Sequence, residues 1–272
     1  MERLLMLTLD ALGCEAEALL NGIPVARAHA GRPRAMVPIH EYTLAGNNRL
    51  ELVIGPRPAA TPEQSEKADQ PALPLVANGK AFARLRILLP RAGNAVDETS
   101  ARSLAQLDWA PSAGEVYKAP LSLSEYVVLP VSFPRWRWLD APLVEATPAL
   151  QLQAGALLTR LSQELSDGEI DGFIAATRLR TEEMATAYQI LPDEAVTRLR
   201  DHLAGLPAAG PLNWFPLPPE GPVLRRIARG RLLECLDASG EPAMRTMPDE
   251  QGNNHLFPMR LAAVEGKLYV LR

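Results

Sequence analysis

Apolar and polar residues alternate with a period of two along several short segments in the first half of the chain. Residues 14–20 place cysteine, alanine and leucine on one face and two glutamates on the other, and residues 49–54 repeat the alternation. This period is typical of a strand with one buried face. Residues 81–89 alternate as well, and 3–9, 23–25, 37–39 and 116–133 are further β-compatible runs, so the first half is predicted to form an antiparallel β-sandwich.

The dipeptide Asn21-Gly22 separates two of these runs. Because both central residues of a type I′ turn take positive φ, the dipeptide predicts a two-residue hairpin. This hairpin and the later run Leu44-Ala45-Gly46-Asn47-Asn48-Arg49-Leu50-Glu51-Leu52-Val53-Ile54 resemble the jelly-roll, galactose-binding-like accessory domains of glycosidases. The resemblance covers about the first fifth of the chain. It implies a sandwich fold and ligand binding on that sandwich, but it carries over no binding residue.

A helical period replaces the alternation in the second half. Thr147-Pro148 predicts an N-cap and a first-turn proline ahead of a leucine-rich stripe over 150–165. Further helices are predicted from residue 170 and from Pro192, followed by strands at 223–236, 256–264 and 267–272. This order of helices and then a sheet resembles the cone-shaped domains of the nuclear transport factor 2 type.

The predicted fold class is therefore α+β with two domains. An antiparallel β-sandwich occupies residues 1–140, and helices packed on an antiparallel sheet occupy residues 141–272. Within the first domain, the proline-rich segment 55–79 is expected to form a long, mobile surface loop.

Composition and charge narrow the class of protein. The chain of 272 residues has 28 basic and 32 acidic side chains, a formal net charge of −4. Because phosphate binding draws on clustered lysine and arginine, this balance argues against a nucleic-acid partner. The N-terminal apolar run is short and no segment reaches the roughly 20 apolar residues of a membrane span, so no signal peptide or membrane contact is predicted. The expected location is cytoplasmic.

The residue types that carry chemistry form no recognisable motif. The two cysteines, Cys14 and Cys235, lie far apart in sequence, and the four histidines are scattered. No nucleophile elbow or nucleotide-binding glycine motif is present. We therefore predict no catalytic residue, no metal and no cofactor, while an active site assembled from distant residues stays open. The acidic residues Asp167, Glu169 and Asp171 are explained by one helix ending and the next beginning.

Two aromatic segments are candidates for binding a protein partner. Tryptophan and arginine dominate interface hot spots, which points to Arg135, Trp136, Arg137 and Trp138 in the first segment and to Trp214 and Phe215 in the second. The alternative is internal packing. Residues 133–140 would then form a strand with its tryptophans under the helical half, and Trp214-Phe215 would fill a gap beneath its own loop.

Two functions follow from these patterns. The first is a protein-binding module. Bacterial immunity proteins, which neutralise a toxin, likewise often lack catalytic motifs, so this protein is a candidate member of that group. The second is a carbohydrate-binding or small-ligand-binding protein, or an unrecognised hydrolase, that uses a pocket in the C-terminal domain. The basic run of Arg225, Arg226, Arg229 and Arg231 is expected to pair with acidic residues rather than to bind phosphate.

Overall fold

The computed structural model describes residues 4–55, 74–77, 79–90, 100–206 and 211–272. Within this part of the chain there are four α-helices and fourteen strands, and the paired strands are antiparallel. The mixed α+β class predicted from the sequence is confirmed. The chain divides into two compact units, and one boundary between them falls between Trp136 and Arg137. Most of the predicted loop at 55–79 lies outside the described residues.

The first unit consists of strands. They are β1 (Met6–Leu12), β2 (Ala16–Leu20), β3 (Ile23–Ala28), β4 (Arg34–Pro38), β5 (Asn47–Ile54), β6 (Pro74–Val76), β7 (Phe82–Leu89), β8 (Arg102–Trp109), β9 (Val116–Lys118) and β10 (Leu121–Val128). One sheet has the order β4-β1-β7-β8, a second has the order β10-β5-β2-β3, and β6 pairs with β9.

The period-two pattern explains how the two four-stranded sheets share one core. Alternate residues of β5, Leu50, Leu52 and Ile54, are fully buried, and Leu85 and Ile87 of β7 are their counterparts in the other sheet. Each buried leucine or isoleucine side chain contributes about 1.5–3 kcal/mol by leaving water. The shared apolar faces therefore fix the register of both sheets.

Strand β8 was not predicted. Arg102, Ser103, Gln106 and Asp108 are exposed on this strand, and it forms the edge of its sheet. An edge strand with so many polar residues lacks the apolar alternation by which strands are recognised.

The second unit consists of helices followed by a sheet. Its elements are α1 (Pro148–Ser166), α2 (Ile170–Ala176), α3 (Arg178–Tyr188), α4 (Pro192–Gly205), β11 (Val223–Ile227), β12 (Leu232–Leu236), β13 (Arg260–Val264) and β14 (Lys267–Val270). The sheet has the order β11-β12-β13-β14. None of the helices in the described part of the chain combines the length and apolarity that crossing a bilayer requires.

Helix α1 begins where the sequence predicts. Thr147 Oγ1 accepts a hydrogen bond from the backbone N–H of Leu150 at 3.3 Å, and Pro148 occupies the first turn. The stripe that includes Leu158 and Leu161 is buried in one core with residues of the sheet. The predicted strand at 223–236 is instead two strands, because a turn with positive φ at Ala228 and Arg229 interrupts it.

Candidate functional site

The first aromatic segment, residues 133–140, was expected to form a strand if its tryptophans pack internally. The structure shows no strand there and instead a 3₁₀ turn over Arg137–Leu139. Trp136, in the first unit, is 1% exposed, and its indole Nε1 donates a hydrogen bond to the carbonyl oxygen of Thr43 at 2.7 Å. Trp138, in the second unit, is 3% exposed. Neither indole offers a contact surface in this conformation.

The arginines of this segment are exposed instead. Arg135 and Arg137 both face solvent. The Arg137 guanidinium contacts Glu182 at 2.8 Å, and the backbone N–H of Arg137 donates to Glu183 Oε1 at 2.7 Å. These contacts fasten the turn to α3. Partner binding by this segment stays a prediction. Because both tryptophans are buried, a partner would contact the exposed side chains of Arg135 and Arg137.

The second aromatic pair is half-buried and has internal contacts. Trp214 Nε1 donates to Ser166 Oγ at 2.8 Å, and its ring centroid lies 5.4 Å from that of Phe257. The guanidinium carbon of Arg245 lies 3.7 Å from the centroid of the Phe215 ring, which is a cation–π contact. Trp214 and Phe215 therefore fasten their own segment to α1 and to the long connection between β12 and β13.

Three extended segments run side by side next to this pair, at 213–215, 244–247 and 255–257. The backbone N–H of Met247 donates to the carbonyl of Asn213 at 2.6 Å, and that of Thr246 donates to the carbonyl of His255 at 3.0 Å. We call this small antiparallel arrangement the ladder. Each of its three segments is held to a neighbour by backbone hydrogen bonds.

A cleft of about 690 Å³ opens beside the ladder. Its polar lining consists mainly of four amide side chains, two carboxylates and one imidazole: Asn213, Gln251, Asn253, Asn254, Asp249, Glu250 and His255. Its apolar lining includes Leu206, Leu212 and Met247. No lysine or arginine is among the described residues that line it. Its volume lies within the range of small-ligand sites, roughly 300–1,000 Å³, and its lining is more polar than is usual for them.

The acidic side of the cleft is a loop that is closed by hydrogen bonds to Asp249. Asp249 Oδ1 accepts hydrogen bonds from the backbone N–H groups of Gln251 at 2.9 Å and of Asn253 at 2.7 Å. The backbone hydrogen bond from Asn253 is the largest cause that lowers the pKa of Asp249 below its usual value. Asp249 is therefore negatively charged at neutral pH, and its own hydrogen bonds hold its loop.

The sequence offered little sign of this cleft. Its residues come from the connector after α4 and from the connection between β12 and β13, which are more than thirty positions apart. The one local signal is the run Asp249-Glu250-Gln251-Gly252-Asn253-Asn254, which is rich in residues that favour turns.

The other candidates found in the sequence have structural explanations. Arg225 pairs with Glu234 at 2.6 Å and Arg226 with Glu145 at 2.7 Å, which confirms for these two residues the expected pairing with acids. Helix α1 ends at Ser166 and α2 begins at Ile170; Asp167 and Glu169 lie between them and Asp171 in the first turn of α2, so this acidic run marks a helix end and a helix start, as predicted.

Neither thiol has the setting of a nucleophile. Burial raises the pKa of Cys235, and burial likewise raises the pKa of the half-buried Cys14. Both are therefore protonated thiols at neutral pH. In the part of the chain that the structure describes, no three His, Cys, Asp or Glu side chains come together as a metal site would require.

Comparisons of the chain with models of known protein families, with curated proteins and with solved structures returned no match.

Proposed function

We propose that this protein is a protein-binding module that holds a partner through the cleft of its second unit. Its action resembles that of a bacterial immunity protein, which neutralises a toxin by contact and not by chemistry. The observation that carries the proposal is the cleft itself, with four amide side chains in its lining. An amide both donates and accepts hydrogen bonds, which suits the peptide groups of an extended segment.

Preorganisation of the walls supports the same proposal. Trp214 is bonded to Ser166, Arg245 is stacked on Phe215, and the loop at 249–253 is closed by its own hydrogen bonds. A partner that binds such a site does not need to order these segments, so less of the interaction energy is lost on binding.

The architecture that accompanies the proposal has two domains. The first is a β-sandwich, supported by the two sheets that share one core, and the second places helices on a sheet in the manner of a cone-shaped domain. The place of action that fits an immunity protein is the cytoplasm.

The second candidate function is the binding of a carbohydrate or another small polar ligand. The volume of the cleft, about 690 Å³, favours it because small-ligand sites span roughly 300–1,000 Å³. Hydroxyl groups of a sugar match amide and carboxylate side chains as well as peptide groups do.

The test compares two variants that introduce the same charge in different places. Asn254→Arg fills the cleft, whereas Ser124→Arg lies on an exposed position of β10 in the first unit. The tagged full-length protein is used to capture partners from cells of its source, and each captured protein is purified and its affinity measured by calorimetry. We expect Asn254→Arg to lower the affinity at least tenfold and Ser124→Arg to leave it unchanged.

Two results would contradict the proposal. One is a partner whose affinity is the same for wild type and Asn254→Arg. The other is cleft-dependent binding of oligosaccharides in a glycan screen with no cleft-dependent protein, which would establish the second candidate instead.

A further inference from the structure

We infer that the cleft receives a lysine or arginine side chain from an extended segment of the partner. This inference rests on the proposed function and specifies the chemistry of the partner. Three features of the cleft support it: the sign of its charge, the apolar side chains in its lining, and the hydrogen bonds that hold its frame.

The charge of the lining selects against anions. Asp249 and Glu250 are the carboxylates of the cleft, and lysine and arginine are absent from its described lining. The arginine of the ladder, Arg245, is already neutralised by Asp237 at 2.5 Å and lies outside the lining. A phosphate, a nucleic acid or an acidic peptide would therefore meet two carboxylates and no lysine or arginine of the described lining, whereas a cationic side chain meets opposite charge.

The apolar wall distinguishes a long cationic side chain from a small cation. Leu206, Leu212 and Met247 line the same cleft as the carboxylates. Lysine and arginine bury their methylene stems against apolar surface while the charged head stays among polar groups. An ammonium ion or a metal ion has no such stem, so it would leave this wall unused.

Arg245, which does not line the cleft, holds the backbone beside it through several contacts. Arg245 donates to the carbonyl of Pro242 at 2.7 Å in addition to its contacts with Asp237 and Phe215. Asp237 in turn accepts from the backbone N–H groups of Ser239 at 2.8 Å and Glu241 at 3.0 Å. This chain of contacts fixes the backbone of residues 245–247, on which one side of the cleft is built.

The test uses short synthetic peptides as probes. Three peptides share a flexible glycine and serine background and differ in the central residue, which is lysine, glutamine or glutamate. Backbone amide signals of the isotope-labelled full-length protein are followed by NMR as each peptide is added to millimolar concentration. We expect the lysine peptide to shift the signals of the cleft, including those of Thr246 and Asn254, and the glutamate peptide to leave them in place.

Two further measurements test whether the lysine peptide is held by the negative charge of the cleft. Raising the salt concentration from about 20 mM to about 500 mM should weaken the lysine peptide severalfold, because exposed charges are screened. Glu250→Gln should weaken it about threefold, as expected for one exposed pair. Its matched control is Glu220→Gln, an exposed glutamate outside the lining, which should have no effect.

The inference is overturned if the lysine peptide causes no shift at millimolar concentration, or if the glutamate peptide shifts the same signals equally. Its failure is distinguishable from failure of the proposed function. A natural partner whose affinity falls with Asn254→Arg, combined with no response to the lysine peptide, would keep the proposed function and reject the cationic side chain.

Discussion

The side-chain amide of Asn21 donates a hydrogen bond to Oδ1 of Asn48 at 2.8 Å. Asn48 is fully buried, and its Oδ1 also accepts from the backbone N–H of Leu44 at 2.7 Å. Asn21 Oδ1 accepts from the backbone N–H of Arg49 at 3.0 Å. The turn between β2 and β3 and the loop before β5 are therefore one hydrogen-bonded structure, in which two asparagines satisfy backbone groups that the sheet leaves unpaired.

Replacing Asn48 by alanine is expected to lower the free energy of unfolding by about 2–3 kcal/mol, because it leaves buried backbone groups without partners. Urea denaturation measures this change. Asn47→Ala is the matched control, since Asn47 is the exposed neighbour in the same strand, and it should change stability by less than about 0.5 kcal/mol. Equal effects of the two variants would show that the network does not stabilise the first unit.

The two tryptophans of the first aromatic segment should respond differently to phenylalanine. Trp136→Phe removes the hydrogen bond to Thr43, whereas the buried Nε1 of Trp138 has no hydrogen-bond acceptor among the described residues. Both variants lose similar side-chain volume. Trp136→Phe should therefore cost about 1 kcal/mol more than Trp138→Phe, the usual net contribution of one hydrogen bond. Thermal or urea unfolding of both variants measures this difference, and a larger loss for Trp138→Phe would contradict the assignment.

Gly221 packs its backbone tightly against α1. It has a φ of +91°, and a Cβ there would overlap the backbone carbonyl of Gln151. Gly252 has a φ of +82° but no atom within 4 Å of the position of a Cβ. Alanine at either site carries the cost of positive φ, about 1 kcal/mol.

Gly221→Ala should cost at least about 2 kcal/mol more than Gly252→Ala, because only Gly221 also meets a steric clash. Comparing the unfolding midpoints of the two variants separates the steric cost from the conformational one. Similar midpoints would mean that the connector moves away from the helix without loss of stability.

Buried Glu234 is expected to make the stability of the second unit depend on pH. Burial raises its pKa, but the charges of Arg260 and Arg225 outweigh burial and hold the pKa below its usual value of 4.5. A carboxyl group with a lowered pKa in the folded state stabilises that state above its unfolded pKa. This contribution is lost as the pH falls through the lower, folded pKa.

Glu234→Gln should therefore destabilise the protein by about 3 kcal/mol at neutral pH, because it removes the negative charge that pairs with buried Arg260 and half-buried Arg225. It should also flatten the loss of stability below pH 4.5, the usual pKa value. Asp108→Asn is the control: its partner Arg84 lies at 2.6 Å but the pair is exposed, so the cost should stay below about 1 kcal/mol. Unfolding free energies measured across the acid range test both expectations.

Local patterns predicted much of the fold. The alternation in β2, β5 and β7 indicates strands because one face of each is buried in the shared core. The Asn21-Gly22 turn is confirmed by φ values of 57° and 78°, and Thr147 caps α1 as expected. These features depend on residues that are neighbours in sequence, so they are visible before any tertiary contact is known.

The cleft was not predictable for the opposite reason. Its walls are brought together by contacts such as that between Phe215 and Arg245, which lie in segments without regular structure of their own. The amide-rich loop at 249–254 has no periodicity that distinguishes it from an ordinary turn. The internal packing of Trp136 was one of the two interpretations of its segment, but its hydrogen-bond acceptor, Thr43, is distant in sequence and was not predicted.

The central claim is that a partner binds at the cleft of the second unit. Hydrogen exchange of the backbone amides, measured with and without the captured partner, tests it most directly. The account predicts slower exchange in residues 211–213 and 246–255 when the partner is present. Slower exchange confined to the first unit, with residues 246–255 unchanged, would contradict it.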